Sequence, residues 1–145
     1  MREQVELTFI IGYNKQNHPQ THTEFKRKVI EAACRLCGGC TVVKSDGYWA
    51  ADGAMHKQEF GGKVEQEYCL HIKLSCELAK EARVHRDMTR SIAAFAVLYG
   101  IDTEWVHVQR SCFTGLHFNV KDVYHCMSRT DYRDIVSPGT RYAHK

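Results

Sequence analysis

The stretch GGCTVVKSDGYW, residues 38–49, marks the point where an amphipathic helix ends and a β-strand begins. Paired glycines end helices well because glycine adopts the left-handed conformation that follows the last helical turn. Thr41 to Val43 then open a strand, since β-branched residues favour extended backbone. Farther along, Gly47 precedes two adjacent aromatics, Tyr48 and Trp49, and we expect this segment to be a turn. The other elements can be placed outward from this junction.

On the N-terminal side the pattern predicts a strand followed by a helix. Apolar residues alternate with others over Val5–Ile11, and the strand is predicted to end at Gly12. Residues 13–22 are polar and predict a loop, while Thr21 followed by Glu24 predicts a capping box at the start of the helix. The helix then shows an apolar residue every three or four positions, namely Phe25, Val29, Ala32, Ala33 and Leu36.

On the C-terminal side the pattern predicts an irregular hairpin and then a third strand with Tyr68, Leu70, Ile72 and Leu74 on one face. A longer second helix is predicted by a stripe that repeats every three or four residues, namely Leu78, Ala82, His85, Met88, Ile92, Phe95 and Tyr99. A fourth strand is predicted from Trp105, turning at Thr114–Gly115 and returning as a fifth strand through Leu116, Phe118 and Val120. The pattern fades after Tyr124, which predicts one domain over residues 1–124 and a tail or arm over residues 125–145.

The predicted order is strand, helix, strand, strand, helix, strand. This order is typical of an α+β, ferredoxin-like or PII-like sandwich, β-α-β-β-α-β, here with an extra C-terminal hairpin and tail. Both helices would cover one face of the sheet. The apolar residues of the first and fourth strands are too many for a solvated second face, so we expect self-association. PII-like proteins often form trimers with ligand sites between subunits, which suggests a homotrimer here.

Composition narrows the class of protein. The chain has 145 residues, 43% of them apolar, and a net charge of +3 that is spread along its length, so we expect no nucleic-acid partner. The longest uncharged apolar run, Ser91–Ile101, is too short to cross a membrane. Seven cysteines, an odd number, indicate reduced thiols and a cytoplasmic protein. The CRLCGGC motif at residues 34–40 has ligand-like spacing but no fourth ligand, so no metal site is expected there.

Acidic and aromatic residues around the predicted hairpin are the best candidates for a ligand site. Carboxylates offset the charge of a cationic ligand, and aromatic rings attract cations. Motifs of serine hydrolases, P-loop nucleotidases, Rossmann enzymes and zinc proteases are absent from the sequence. The alternative is that the acids merely solubilise a hairpin whose aromatics cap the core. The candidates are Asp46, Tyr48, Trp49 and Asp52 in the expected turn, and Glu59, Glu65 and Glu67 after it.

Three features together resemble the phage-encoded S-adenosylmethionine (SAM) lyases, formerly called SAM hydrolases. They are the helix–glycine–strand passage that ends at Gly47–Tyr48, the acid downstream of it, and the block VHVQRSCFTGLHF at residues 106–118. The similarity extends from Val5 to Phe118. It implies a trimer of PII-like sandwiches with active sites between subunits, and no cofactor besides the substrate.

The resemblance also implies residue roles. Tyr48 and an acid, best matched by Glu59 with Glu65 and Glu67 as rivals, would hold the methionine part of SAM. Trp49 and Asp46, which come from the acidic and aromatic set and not from the resemblance, would line the same site. From the predicted topology, backbone groups of the loop after Gly12 and of the turn at Thr114 and Gly115 would frame the adenosine.

The implied reaction is intramolecular. The substrate's own carboxylate attacks Cγ and yields 5'-methylthioadenosine and homoserine lactone, which in the host cytoplasm would deplete SAM and counter SAM-dependent restriction. The alternatives are a PII-like module that senses a nucleotide or SAM without turnover, and an oligomeric interaction protein without small-molecule chemistry.

Overall fold

A computed structural model describes residues 2–13, 19–51, 59–103, 105–115 and 118–139. The chain divides into two units, Met1–Thr114 and Gly115–Lys145. The first unit holds the sheet and the two long helices. Its elements are β1 Glu3–Tyr13, α1 Pro19–Cys37, β2 Thr41–Ala50, β3 Val64–Glu77, a 3-10 turn Leu78–Lys80, α2 Glu81–Leu98 and β4 Val106–Thr114.

The sheet has four strands in the order β2-β3-β1-β4, and every neighbouring pair is antiparallel. This order together with the sequence β-α-β-β-α-β defines the ferredoxin-like arrangement. The predicted α+β, ferredoxin-like or PII-like sandwich is therefore confirmed. Within the described ranges, none of the helices is both long enough and apolar enough to cross a membrane.

The core lies between the two helices and one face of the sheet. Strand alternation points every second residue of β1 and β3 toward the helices, where these side chains are excluded from water. The buried set comprises Val5, Leu7, Phe9 and Ile11 of β1, Leu70, Ile72 and Leu74 of β3, Phe25, Val29 and Ala33 of α1, and Val84, Met88, Ile92 and Ala96 of α2.

The predicted C-terminus of α1 is correct, whereas its predicted N-terminus is not. Gly38 has a φ of 82°, and its N–H donates to the Cys34 carbonyl over 2.8 Å, as expected for a glycine that ends a helix. The predicted capping box is wrong, because Thr21 lies inside α1. The helix begins instead at Pro19, since proline suits the first helical turn.

The predicted buried face of the second helix is only partly correct. Met88 and Ile92 are buried as expected, but Leu78 and His85 are exposed. The residues that repeat every four positions, Val84 through Ala96, form the buried row instead. The helix is therefore rotated slightly from the predicted face.

The second face of the sheet is mostly polar, which contradicts the reason given above for self-association. The apolar residues of β4, Val106 and Val108, pair with Ile11 and Phe9 and pack against the core. The outer face of β4 carries His107, Gln109, Ser111 and, near its end, the exposed Phe113. The apolar content of this face therefore does not by itself favour an oligomer.

The second unit contains two short helices, α3 Val120–Cys126 and α4 Arg129–Val136. Each has a side-chain cap: Asn119 Oδ1 accepts from the Asp122 N–H over 3.1 Å, and Ser128 Oγ accepts from the Asp131 N–H over 3.0 Å. The predicted fifth strand is wrong at Val120, which starts a helix, while Leu116 lies outside the described residues. The predicted domain boundary after residue 124 falls inside α3.

Candidate functional site

The expected aromatic turn is instead a regular strand. Every residue of β2 from Thr41 to Ala50 pairs with a residue of β3, because β3 is long enough to supply a partner for each. Neighbouring residues of a strand point to opposite faces. Tyr48 therefore lies opposite Gln66 on the helix-covered side and is 67% exposed, whereas Trp49 lies on the outer face and is 46% exposed. The two rings do not form one platform.

The acids of the candidate set are divided in the same way. Asp46 pairs with Tyr68 on the helix-covered side. Glu65 and Glu67 lie on the outer face, where Glu65 is directly opposite Trp49. Glu59 is exposed and lies before β3, and Asp52 is outside the described residues.

Thr114 lies far from the outer-face acids within one copy. It is the last residue of β4 and pairs with Glu3 at the start of β1, whereas Glu67 lies near Gly12 at the other end of β1. A strand rises about 3.3 Å per residue, so the two ends are about 30 Å apart. The structure therefore does not bring Thr114 together with Glu67, and Gly115 belongs to the second unit.

Two glycines on neighbouring strands make room for the Glu67 side chain. Gly12 of β1 and Gly47 of β2 lie on either side of β3, paired with Cys69 and Glu67 respectively. A Cβ atom at Gly12 would lie 2.5 Å from Glu67 Oε1, and one at Gly47 would lie 2.7 Å from Cys69 Sγ. Neither glycine has a positive φ, so backbone conformation does not require them. Their missing side chains allow the Glu67 carboxylate to lie against the backbone of β1.

The Glu67 carboxylate has a neighbour that can donate a hydrogen bond, and no ion pair with it is found among the described residues. Cys69 Sγ lies 3.9 Å from Glu67 Oε1. Burial, and after it the adjacent Glu67 carboxylate, raises the pKa of the Cys69 thiol, so the thiol stays protonated and able to donate. Among the described residues, no Lys, Arg or His forms an ion pair with Glu67.

The outer face thus combines two acids with an aromatic ring. Glu65 and Glu67 are two residues apart on β3 and point the same way, with Trp49 beside Glu65 on β2. Two carboxylates and an indole ring suit a cationic ligand, because the carboxylates supply charge and the ring supplies cation–π attraction. We refer to Gly12, Gly47, Trp49, Glu65 and Glu67 as the outer-face site.

Sequence reasoning found Trp49, Glu65 and Glu67 but missed the role of Gly12. It placed Gly12 at the end of a strand, before a loop that was expected to frame the adenosine. The spatial partnership of Gly12 with Gly47 depends on the register of three strands, which a single sequence does not reveal.

In the cysteine motif, Cys37 and Cys40 pack partly against the core, whereas Cys34 is exposed. Burial, together with the nearby Cys76 and Cys40 thiols, raises the pKa of Cys37 to about 11, which keeps it protonated. No group of three or more metal-ligating side chains converges in the part of the chain that the structure describes.

Comparison with known proteins gives structural similarities only. No protein-family model matches the chain, and no curated protein does. The periplasmic divalent cation tolerance protein CutA from Archaeoglobus fulgidus is 8% identical, with 81% of this chain and 90% of that one covered, at a TM-score of 0.39. A Bacillus cereus protein related to NIF3 is 12% identical, with 79% of this chain but only 27% of that one covered, at a TM-score of 0.41. The assignment of the fold rests on the strand order and register of the chain itself.

Proposed function

We propose that this protein degrades SAM, and that the Glu67 carboxylate anchors the ammonium group of the substrate. One observation carries the proposal: Glu67 lies over Gly12, with Gly47 on its other side, and no cation of the described residues is paired with it. A carboxylate that is held in place without an ion pair can bind a cationic group of a ligand. The resemblance to SAM lyases supplies the identity of that ligand.

Glu67 is favoured over the other two acids on geometry. Glu59 is exposed and outside the sheet, so nothing in the described structure orients it. Glu65 is also exposed and has a ring rather than a glycine opposite it. Only for Glu67, among these three, does the neighbouring backbone carry glycines that define where the carboxylate lies.

The negative charge of Glu67 favours the reaction when it lies beside the ammonium of SAM, but not when it lies beside the sulfonium. SAM carries a carboxylate, an ammonium and a sulfonium. A carboxylate beside the sulfonium would stabilise the ground state, in which that charge is complete, more than the transition state, in which it disappears. Glu67 at the ammonium avoids this loss and leaves the substrate's carboxylate free to attack.

The proposed reaction needs no group from the protein to gain or lose a proton. A carboxylate oxygen of the substrate forms a bond to Cγ while the Cγ–S bond breaks, and the electron pair of that bond remains on sulfur. The products are neutral 5'-methylthioadenosine and homoserine lactone, which keeps its ammonium. Holding the methionine chain in the folded conformation is then the main task of the protein, and such orientation contributes about 7 to 11 kcal/mol in favourable cases.

A shared site between copies accommodates both Tyr48 and Glu67. Their side chains leave opposite faces of the sheet, since Tyr48 pairs with Gln66 and Glu67 with Gly47. A small ligand against Glu67 in one copy would therefore receive Tyr48 from a neighbouring copy. We therefore infer a homo-oligomer, and the resemblance implies that it is a trimer. In a host cell such an enzyme would remove SAM and thereby counter SAM-dependent restriction.

The test is incubation of the purified protein with SAM, followed by chromatography for methylthioadenosine, homoserine lactone and homoserine. We expect methylthioadenosine and the lactone. Glu67→Gln should lose turnover, whereas Glu59→Gln, the matched control, should retain it. Thermal stabilisation by SAM without product would favour the sensing module. Neither product nor stabilisation would refute the proposal.

A further inference from the structure

Three polar side chains lie in a row beside the Glu67 carboxylate on the outer face of β2 and β3. Ser45 of β2 is directly opposite Cys69 of β3, and the next pair on this face is Gly47 with Glu67. Ser45 Oγ lies 2.8 Å from His71 Nε2. Cys69 Sγ lies 3.9 Å from Glu67 Oε1, within reach of a thiol donor. The side chains therefore follow one another in the order His71, Ser45, Cys69, Glu67.

Cys69 is nearly buried although it faces away from the core. Its neighbour Leu70 points toward the helices, so Cys69 points outward, yet only 9% of its surface is exposed. A Cβ atom at Gly47 would lie 2.7 Å from Cys69 Sγ. The sulfur thus occupies the space that Gly47 leaves open. Little water can compete for a hydrogen bond there, which strengthens the bond.

The direction of each hydrogen bond follows from the acceptor at the end of the row. A carboxylate only accepts hydrogen bonds, so Cys69 donates to Glu67. Burial and this carboxylate raise the pKa of the thiol, while the Ser45 hydroxyl acts in the opposite direction by donating a hydrogen bond to the sulfur. A hydroxyl has a single proton, so Ser45 then accepts from His71 Nε2. All the protons point toward the negative charge.

We propose that His71, Ser45 and Cys69 form a chain of hydrogen-bond donors that ends on Glu67 Oε1 and holds this carboxylate over Gly12. The three are positioning residues, because they act on a ligand only through Glu67. Each bond of such a chain polarises the next, which makes the thiol a stronger donor. The existence of the chain does not depend on SAM degradation, whereas its effect on turnover rests on the proposed function.

The chain is tested by infrared spectroscopy of the S–H stretching band of the full chain. Cys69→Ala removes the band of this thiol, which identifies it among the seven cysteines. We expect Glu67→Gln to shift the band to higher wavenumber, because an amide accepts a weaker hydrogen bond than a carboxylate does. Ser45→Ala should shift it in the same direction by less, and His71→Phe by less again. Ser75→Ala, near the other end of the outer face of β3, should leave the band unchanged.

The rate of SAM degradation tests the positioning role. Cys69→Ala should lower kcat/KM about tenfold, since it removes a hydrogen bond to a charged group. Cys69→Ser should retain most of the native value, because a hydroxyl can donate in place of the thiol. Cys34→Ala removes an exposed thiol and is the matched control, with native activity expected.

Two sets of results would overturn the proposal. The chain does not exist if Glu67→Gln leaves the Cys69 band in place, or if Ser45→Ala shifts it no more than Ser75→Ala does. The positioning role is wrong if Cys69→Ala has native activity, or if the serine and alanine variants lose the same activity. A native protein that does not degrade SAM would refute the proposed function, and the infrared bands would still decide whether the chain exists.

Discussion

Replacing Gly12 with alanine tests whether the position of the Glu67 carboxylate matters, because the substitution keeps the carboxylate but displaces it. The new Cβ would lie 2.5 Å from Glu67 Oε1 and 2.6 Å from Glu67 Cδ, whereas ordinary contacts begin at 3.4 Å. The carboxylate must therefore move by about 1 Å. A displacement of this size at a site that orients its substrate can reduce turnover by about 10²-fold.

The same substitution should cost little stability. The atoms that must move are the end of a flexible side chain rather than backbone. Gly12 has no positive φ, and alanine fits the interior of a strand better than glycine does. We expect a change in the free energy of unfolding of less than about 1 kcal/mol.

The assay is the rate of methylthioadenosine release from SAM, alongside urea denaturation of the same protein. Gly39→Ala is the matched control, because a Cβ at Gly39 meets no atom within 4 Å. Glu67→Asp combined with Gly12→Ala should recover part of the lost rate, since the shorter acid leaves room for the methyl group. Full turnover in Gly12→Ala alone would show that the position of Glu67 over β1 has no functional role.

Three further predictions concern the sharing of sites between copies, the packing of α2 in the core and the ionisation of the Cys37 thiol. Mixing Tyr48→Phe with Glu67→Gln, each inactive alone, should restore up to about one quarter of the native rate by random assortment if sites are shared between copies; no recovery after subunit exchange would exclude sharing. Met88→Ala should cost about 2 to 5 kcal/mol by urea denaturation, and Phe95→Ala, which is only partly buried, should cost less than its size suggests. Burial raises the folded-state pKa of Cys37 from 9.0 to about 11, so its contribution to stability should be complete below pH 9 and lost as the pH rises toward 11. Replacing Cys37 with alanine should flatten this decline in the denaturation midpoint.

Local pattern was enough to predict most of the first unit. The alternation over Val5–Ile11 and the helical period before Gly38 reflect which side chains are buried away from water. The end of the helix at Gly38 reflects where the backbone can adopt a positive φ. These are properties of neighbouring residues, and they yielded the strand and helix order that defines the ferredoxin-like fold. The predicted strand is wrong at Val120 because Asn119 caps a helix that begins there, and the short apolar alternation in the sequence does not outweigh this cap.

The acidic and aromatic residues of the candidate site could be identified from the sequence, but the register of the strands determines which of them lie together. Tyr48 and Trp49 are adjacent letters that the pleat of β2 sends to opposite faces. Gly12 and Glu67 are distant in sequence and come into contact only because β1 and β3 pair in one particular register. The sequence by itself determined the elements and the candidate residues, since those follow from local polarity and backbone preference. The tertiary structure alone selected which acid has an oriented carboxylate, because a shift of one residue in pairing would turn Glu67 to the other face.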